Sequence, residues 1–412
     1  MDEMKKINVL YLSYDGMTDP LGQSQVLPYL FGLTKKGYNF HIISFEKQER
    51  VLQFKHHIQQ LCNENNVVWH PLKYSQKSPL VTTVYDVTAM KRKAIKLQKE
   101  FNFKIVHCRS YISALVGVYM KKRFHTKFVF DMRGFWADER VDGGLWDLEN
   151  PIYSIVYKYF KRKELIYFKE ADYTISLTHN GKREIESWKE FGGNTPKIQV
   201  IPCCVDLDLF NPDKIDLNEV LSLKKDLNID STQKVLGYVG SIGTWYMLSE
   251  MLDYFKVFLT KNENSIFLFV TGEKPQNILE EAQQKGISEN NIRITSCLHK
   301  QVPTYISIFS ESIFFIRPTF SKKASSPTKQ GEIMAMGMPL VCNSGVGDTD
   351  EVVMKYKAGG VINHFENESY KALLENQLDF NKEEMQKGAK EFYSLANGIQ
   401  KYLEVYQSIL TN

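Results

Sequence analysis

The chain has 412 residues, 43% hydrophobic and 24% charged, with a formal net charge of +4 and no low-complexity tract. That length exceeds one ordinary core and predicts two domains of near-equal size, and so mild a charge gives no reason to invoke nucleic acid. The six cysteines (Cys62, Cys108, Cys203, Cys204, Cys297, Cys342) form neither a Cys-x-x-Cys pair nor a disulfide-like framework, so they read as small hydrophobes in a reducing, cytoplasmic setting.

"INVLYLS" (Ile7 to Ser13) is an apolar run of strand length, too short for a signal peptide or a membrane span. The loop "YDGMTDPLGQSQ", a helical stretch to Lys36, Gly37 and the strand "FHIISFE" follow, the opening of a parallel α/β unit. Gly22 lies in that loop, where a missing side chain permits close backbone approach. The His56-His57 pair has no second metal-ligand motif and reads as surface. Next come "KIVHCRS", with His107 near its end, and "KFVFDMRG", ending in Asp131 and Arg133. A guanidinium cannot act as a base at neutral pH; Arg133 either clamps an anion or closes the strand end as an ion pair with Asp131.

"GFWADERVDGGLWDLEN" is too rich in Gly, Asp and Trp for a regular element and predicts a mobile loop, with Trp136 and Trp146 either stacking on a ligand or anchoring the core. "NPIYSIVYKYFKRKELIYFKE" (Asn150 to Glu170) is basic and aromatic at helical spacing. It fits a helix on an anionic membrane surface or a core helix with a solvated basic face. "DYTISLT" and "KIQVIPCCV" complete the first set of strands, and residues 206–232 read as a polar, helix-poor linker. Within it, Asp206-x-Asp208 lacks the further oxygen ligands that a metal wants.

The opening order recurs in "KVLGYVG", "SIGTWY", a helix through "MLSEMLDYFKVFLT", and "SIFLFVTGE". "GSIG" (Gly240, Ser241, Gly243) is a loosely glycine-rich turn, and Thr271 and Gly272 end the next strand. "NIRITSC", "SIFFIRP" and "PLVCNS" supply further strands. Before the last of these stands "SSPTKQGEIMAMGMP" (Ser325 to Pro339), read as a helix with Ser326 as N-cap, Pro327 in its first position and Gly337 as its stop. Lys329 then opposes the helix dipole: either it bends into solvent, or an anion completes the site. Met334, Met336 and Met338 read as packing residues. A terminal helix over about 390–412 follows, for which packing back onto the first domain is one option.

With "DPLGQSQVLPYL", "IPCCVDLDLFNP", "YVGSIGTWY" and "KASSPTKQGEIMAMGMPLV" in this order, nearly the whole chain resembles a family-4 retaining glycosyltransferase of the GT-B architecture. The resemblance implies an α/β fold of two Rossmann-like domains facing a central cleft: an acceptor-binding domain over 1–205 and a nucleotide-sugar-binding domain over 233–390. It implies no cofactor and no metal, a nucleotide-sugar donor, a glycan or lipid-linked acceptor in cell-surface polysaccharide synthesis, and a cytoplasmic or peripheral-membrane location. Donor contacts would fall on Gly22, Gly240, Ser241, Gly243, Thr271, Gly272, Ser325, Ser326, Thr328, Lys329 and Glu332.

Lys329 would hold the diphosphate, Glu332 would match the second glutamate of the Glu-x7-Glu motif on the ribose, and Arg133 would assist leaving-group departure. Asp131, Trp136 and His107 would stand on the acceptor side. The first glutamate of the motif falls on Ala324, and the family's diphosphate-binding Arg and Lys fall near Ser241 and Tyr246. These departures keep two alternatives open: a catalytically silent homologue that binds nucleotide or scaffolds an assembly, and a nucleotide-sugar hydrolase or epimerase.

Overall fold

The computed structural model describes residues 6–75, 79–376 and 378–411. The chain forms two compact units, one running to Pro202 and taken up again from Leu395, the other spanning Cys203–Ser394.

The first unit is built on seven strands: β1 (Ile7–Ser13), β2 (Tyr38–Glu46), β3 (Val67–Lys73), β4 (Ile105–Arg109), β5 (Lys127–Asp131), β6 (Tyr173–Ser176) and β7 (Ile198–Val200). They lie in the order β3-β2-β1-β4-β5-β6-β7, every pair parallel. The central strands are buried along nearly their whole length, so they read as continuous apolar runs. Edge strand β3 was not legible as a strand: its exposure alternates and it contains Pro71, which a sheet edge tolerates. The chain leaves β1 toward β2 and leaves β4 toward β5, in opposite directions from adjacent strands, so their carboxyl ends form a topological switch point.

The helix Leu395–Thr411 belongs to this unit and buries Tyr402, Val405, Tyr406 and Ile409. It lies against the helix Leu27–Thr34, where a Cβ on Gly32 would come within 2.3 Å of Ile399. Tyr402 meets Tyr29 edge-on at 5.4 Å, and Tyr406 meets Tyr38 at 5.2 Å.

The second unit repeats the plan with β8 (Val235–Val239), β9 (Ile266–Val270), β10 (Ile292–Thr295), β11 (Glu311–Phe314), β12 (Leu340–Asn343), β13 (Ala358–Ile362) and β14 (Asp379–Phe380). Their order is β10-β9-β8-β11-β12-β13-β14; only the short edge strand β14 is antiparallel. The switch point lies between β8 and β11. Glycine hid β13 in the sequence. A Cβ on Gly359 would stand 1.9 Å from the Leu340 carbonyl oxygen and one on Gly360 would meet Leu373, so both glycines serve close packing and no turn.

Residues 206–232 are not helix-poor. They carry the helix Leu217–Asp226, capped by Asp216 through the Asn218 amide, with Glu219 in its first turn and Lys224 and Lys225 in its last. Those end signals were present in the sequence, but no face of the helix is fully buried, which is why its apolar pattern is weak. The expected mobile loop likewise begins with a helix, Trp136–Asp142, favoured by Asp138 and Glu139 in its first turn. Asn150 caps the long helix Pro151–Glu170.

Candidate functional site

In the second unit the helix Thr328–Met336 follows a 3-10 turn over Phe320–Ala324. Pro327 occupies the cap position, and Ser326 does not cap: its Oγ accepts from the Cys203 amide at 3.2 Å. Gly337, at φ 71°, ends the helix in the left-handed conformation, with its amide and that of Met338 returning to Met334 and Ile333. Ser325 and Thr328 are half-buried beside this start.

Lys329 does not bend into solvent. The residue is 7% exposed, and its Nζ lies 3.6 Å from the Tyr246 ring centre and 4.0 Å from that of Tyr238. The ammonium has no hydrogen-bond partner. Burial drives its pKa well below the usual lysine value, against the opposing pull of Glu332. A Cβ at Gly240 would come within 3.3 Å of Nζ; that residue, at φ 106°, is one only glycine adopts readily. Tyr246, which falls where the resemblance places a lysine, therefore forms one wall of a cation–π cage.

Around this cation the other expected donor contacts are brought together in part. Gly243 turns at φ 50°, and Ser241 is exposed, its carbonyl accepting from the Tyr238 hydroxyl at 2.7 Å. Thr271 is buried, its Oγ1 accepting from the Glu273 amide, whereas Gly272 is exposed with open space where a side chain would stand. A cavity of 590 Å³ opens beside the cage, lined by Gly243, Thr244, Tyr246, Glu273, Glu281 and Arg317 among others. Two nearby lysines are engaged elsewhere: Lys322 lies over Trp245 at 3.5 Å and Lys323 over Phe320 at 5.2 Å.

Glu332 faces His299, Oε1 to Nε2 at 2.9 Å, and that hydrogen bond raises the imidazole pKa. The His299 ring also meets Phe210 at 5.5 Å. This side chain escaped the sequence reading; nothing in spacing ties a lone histidine to a carboxylate thirty-three positions on.

Gly22 and His107 depart from their expected roles. Gly22 sits inside the helix Pro20–Gln25, and a Cβ there would meet the Gly16 carbonyl oxygen at 2.2 Å. Its missing side chain makes room for the chain's own backbone. His107 is buried against Tyr11, Tyr402 and Tyr406, with Nδ1 2.7 Å from the Tyr406 hydroxyl. Burial lowers its pKa, so it stands neutral under Asp131 and has no surface to offer an acceptor.

Asp131 ends β5 and accepts from the Tyr402 hydroxyl at 3.0 Å, with His107 Nε2 3.6 Å away and Arg133 Nη1 3.8 Å from its other oxygen. Burial alone would push this carboxyl up; Arg133, His107 and Arg109 outweigh it and hold the pKa at about 2. Arg133 itself takes a left-handed backbone, φ 59°, unusual for a long side chain.

Trp136 is half-buried in an aromatic box of Tyr111, Trp146 and Phe160, with Arg140 over its ring. The helix Pro151–Glu170 buries Phe160, Glu164, Tyr167 and Phe168, and Lys161 binds both Glu164 and Asp138 beneath it. Its opposite face leaves Ile152, Ile155, Tyr159 and Ile166 exposed, with Lys158, Arg162 and Lys169 also exposed. Among the described residues no helix is long and apolar enough to cross a membrane, and no three metal-ligating side chains cluster.

Two family models match: Glycosyltransferase Family 4 over residues 29–209 and Glycosyl transferases group 1 over residues 221–392. No curated protein matches the sequence. Solved structures that share the fold include a glycosyltransferase from Rickettsia africae (15% identity, 99% of each chain covered, TM-score 0.72). A sucrose-phosphate synthase from Thermosynechococcus elongatus aligns at 13% identity over 98% of this chain and 100% of its own, TM-score 0.73. Anabaena HepE in complex with UDP-glucose aligns at 12% identity with the same coverages and a TM-score of 0.66. The two matched segments follow the two units in order, and the chain belongs to the GT-B glycosyltransferases of the family-4 type.

Proposed function

We propose that the protein is a retaining, metal-independent glycosyltransferase that moves a sugar from a nucleotide-sugar donor to a glycan or lipid-linked acceptor in cell-surface polysaccharide synthesis. The observation that carries this reading is Lys329, a buried ammonium without a hydrogen-bond partner at a helix start beside a glycine turn. Such a group is stabilised by an anion that accepts its hydrogen bonds, which Glu332, acting on it only electrostatically, does not. A nucleoside diphosphate fits: Lys329 and the first amides of the helix would face its oxygens, and Glu332 would accept from the ribose hydroxyls. HepE structures hold UDP and UDP-glucose, which supports a donor of this class.

As the bond to the anomeric carbon breaks, charge grows on the departing diphosphate, and Lys329 stabilises that charge more than the ground state. The acceptor hydroxyl enters on the same face and gives its proton to the leaving phosphate. The exposed apolar stripe Ile152, Ile155, Tyr159 and Ile166, accompanied by lysines and an arginine, supports a cytoplasmic enzyme held on anionic lipid. A thermal-shift screen against UDP-, GDP-, ADP- and CMP-sugars tests the donor site. A ligand at about 100 times its Kd adds about 2.7 kcal/mol of stability, and Lys329→Ala should abolish that gain.

One observation favours a second reading. Ala324, fully buried, stands where the family places a sugar-binding glutamate, as a nucleotide-binding homologue without transfer activity would allow. Donor consumption and product analysis, with and without acceptor, separate transfer, hydrolysis and silence.

A further inference from the structure

Each unit holds, at the switch point of its sheet, a buried cation whose donors are incompletely used. In the second unit this is Lys329. In the first it is Arg109, the last residue of β4, which is 4% exposed. Its Nε donates to Asp15 Oδ2 at 3.2 Å, while Nη1 is buried with no hydrogen-bond partner. Leaving such a donor unmatched is unfavourable, and a charged donor makes it more so.

The surroundings point the same way. Arg109 lies opposite Asp131 in the β4–β5 register, and Arg133 follows two residues beyond β5. Ser110 and Arg133 both take left-handed φ, 65° and 59°, at the carboxyl ends of these adjacent strands. Backbone held in such conformations clusters at ligand sites. Asp131 is the one buried carboxylate among these groups, and Tyr402 already occupies one of its oxygens; Asp15 is half-exposed. His107, neutral in its burial, adds no charge. Two guanidiniums and two carboxylates thus meet at this corner, with one buried guanidinium nitrogen, Arg109 Nη1, left over.

We infer that this corner of the first unit binds a phosphate group, monoester or diphosphate, carried by the acceptor. A phosphate offers oxygens in several directions and would accept from the unused Arg109 Nη1 while also reaching a neighbouring donor, whereas a sugar hydroxyl offers a single oxygen. The word acceptor rests on the proposed transfer reaction; the anion site does not.

Calorimetry of the full chain with inorganic phosphate tests it. Two independent sites are expected: Arg109→Gln and Arg133→Gln each weaken one at least tenfold and spare the other, and Lys329→Ala does the converse. Phosphate binding unchanged in both arginine variants, or one site lost to either an arginine or the lysine variant, overturns the inference. Should Arg109→Gln fail to fold by circular dichroism, Arg133→Gln, whose side chain is less buried, decides alone. Phosphate binding that Lys329→Ala leaves untouched, beside a loss in the arginine variants, sinks the donor site and leaves this one standing.

Two arms identify the source of the phosphate. Displacement of inorganic phosphate by glucose 1-phosphate marks a soluble acceptor. Arg109-dependent sedimentation with phosphatidylcholine vesicles containing polyprenyl phosphate marks a lipid-linked one. Neither response overturns the acceptor assignment.

Discussion

Lys329 Nζ sits 3.6 Å from the centre of the Tyr246 ring, and no hydrogen bond reaches it. The cage holds the ammonium where water does not solvate it fully, so the protein carries a charge-burial penalty that the proposed diphosphate would relieve.

Replacing that charge should therefore stabilise the chain while removing its ligand. Lys329→Met is expected to raise stability by about 1–4 kcal/mol, the range found when buried ionic groups give way to apolar ones. The sign with pH follows from the depressed pKa: between the folded and unfolded lysine pKa values the unfolded chain binds more protons, so wild-type stability rises with pH through that window. Urea unfolding at several pH values reads both effects; an unchanged or lowered midpoint for Lys329→Met contradicts the cage.

At pH values near or above the folded-state pKa of Lys329, donor binding should also take up protons, because a bound diphosphate would raise that pKa. Calorimetry in buffers of different ionisation enthalpy measures the uptake. It should be positive in the wild type and smaller in Lys329→Met.

His299 and Glu332 make a coupled pair. Glu332→Gln is expected to drop the His299 pKa toward the ordinary imidazole value, visible in a nuclear magnetic resonance titration. Since the folded pKa is raised, the contribution of the pair to stability is present at low pH and fades as pH rises through that pKa. A His299 titration indifferent to residue 332 would rule the pair out in solution.

At Gly240 an alanine meets two obstacles, a left-handed φ of 106° and the Lys329 ammonium 3.3 Å from the new methyl. The backbone strain amounts to about 1–2 kcal/mol. Gly240→Ala should lower stability by about that much and weaken nucleotide binding, whereas Gly272→Ala, with open space around it, should do so far less. Parallel unfolding and thermal-shift measurements compare the two.

On the helix Pro151–Glu170, Ile155→Glu is expected to change stability by less than about 0.5 kcal/mol, since the residue is exposed. Flotation with anionic vesicles should fall severalfold. Equal flotation of both proteins would remove the lipid-surface reading.

The central parallel strands of both units were legible because burial on two faces leaves uninterrupted apolar runs, as in "INVLYLS" and "SIFLFV". What stayed hidden has a common physical root: residues whose local chemistry says one thing and whose neighbours require another. Gly359 and Gly360, a pair whose chemistry favours turns, are strand residues kept small by Leu340 and Leu373. Gly22 reads as a ligand contact and is a packing contact. Lys329 was visible as an oddity in its helix, but its aromatic walls come from Tyr238 and Tyr246, far upstream in the chain, which no local pattern reveals. The His299–Glu332 and Arg109–Asp15 pairs are tertiary for the same reason.

The return of Leu395–Thr411 to the first unit has a bearing on how the protein is made. Tyr402 and Tyr406, the hydroxyl partners of Asp131 and His107, are synthesised after the whole Cys203–Ser394 unit, which is continuous in the chain. On the ribosome the later unit can therefore mature before the earlier one is closed. Until residues as far as Thr411 emerge, Asp131 and His107 wait without their hydroxyl partners, an interval in which the nascent polypeptide is open to chaperones and proteases.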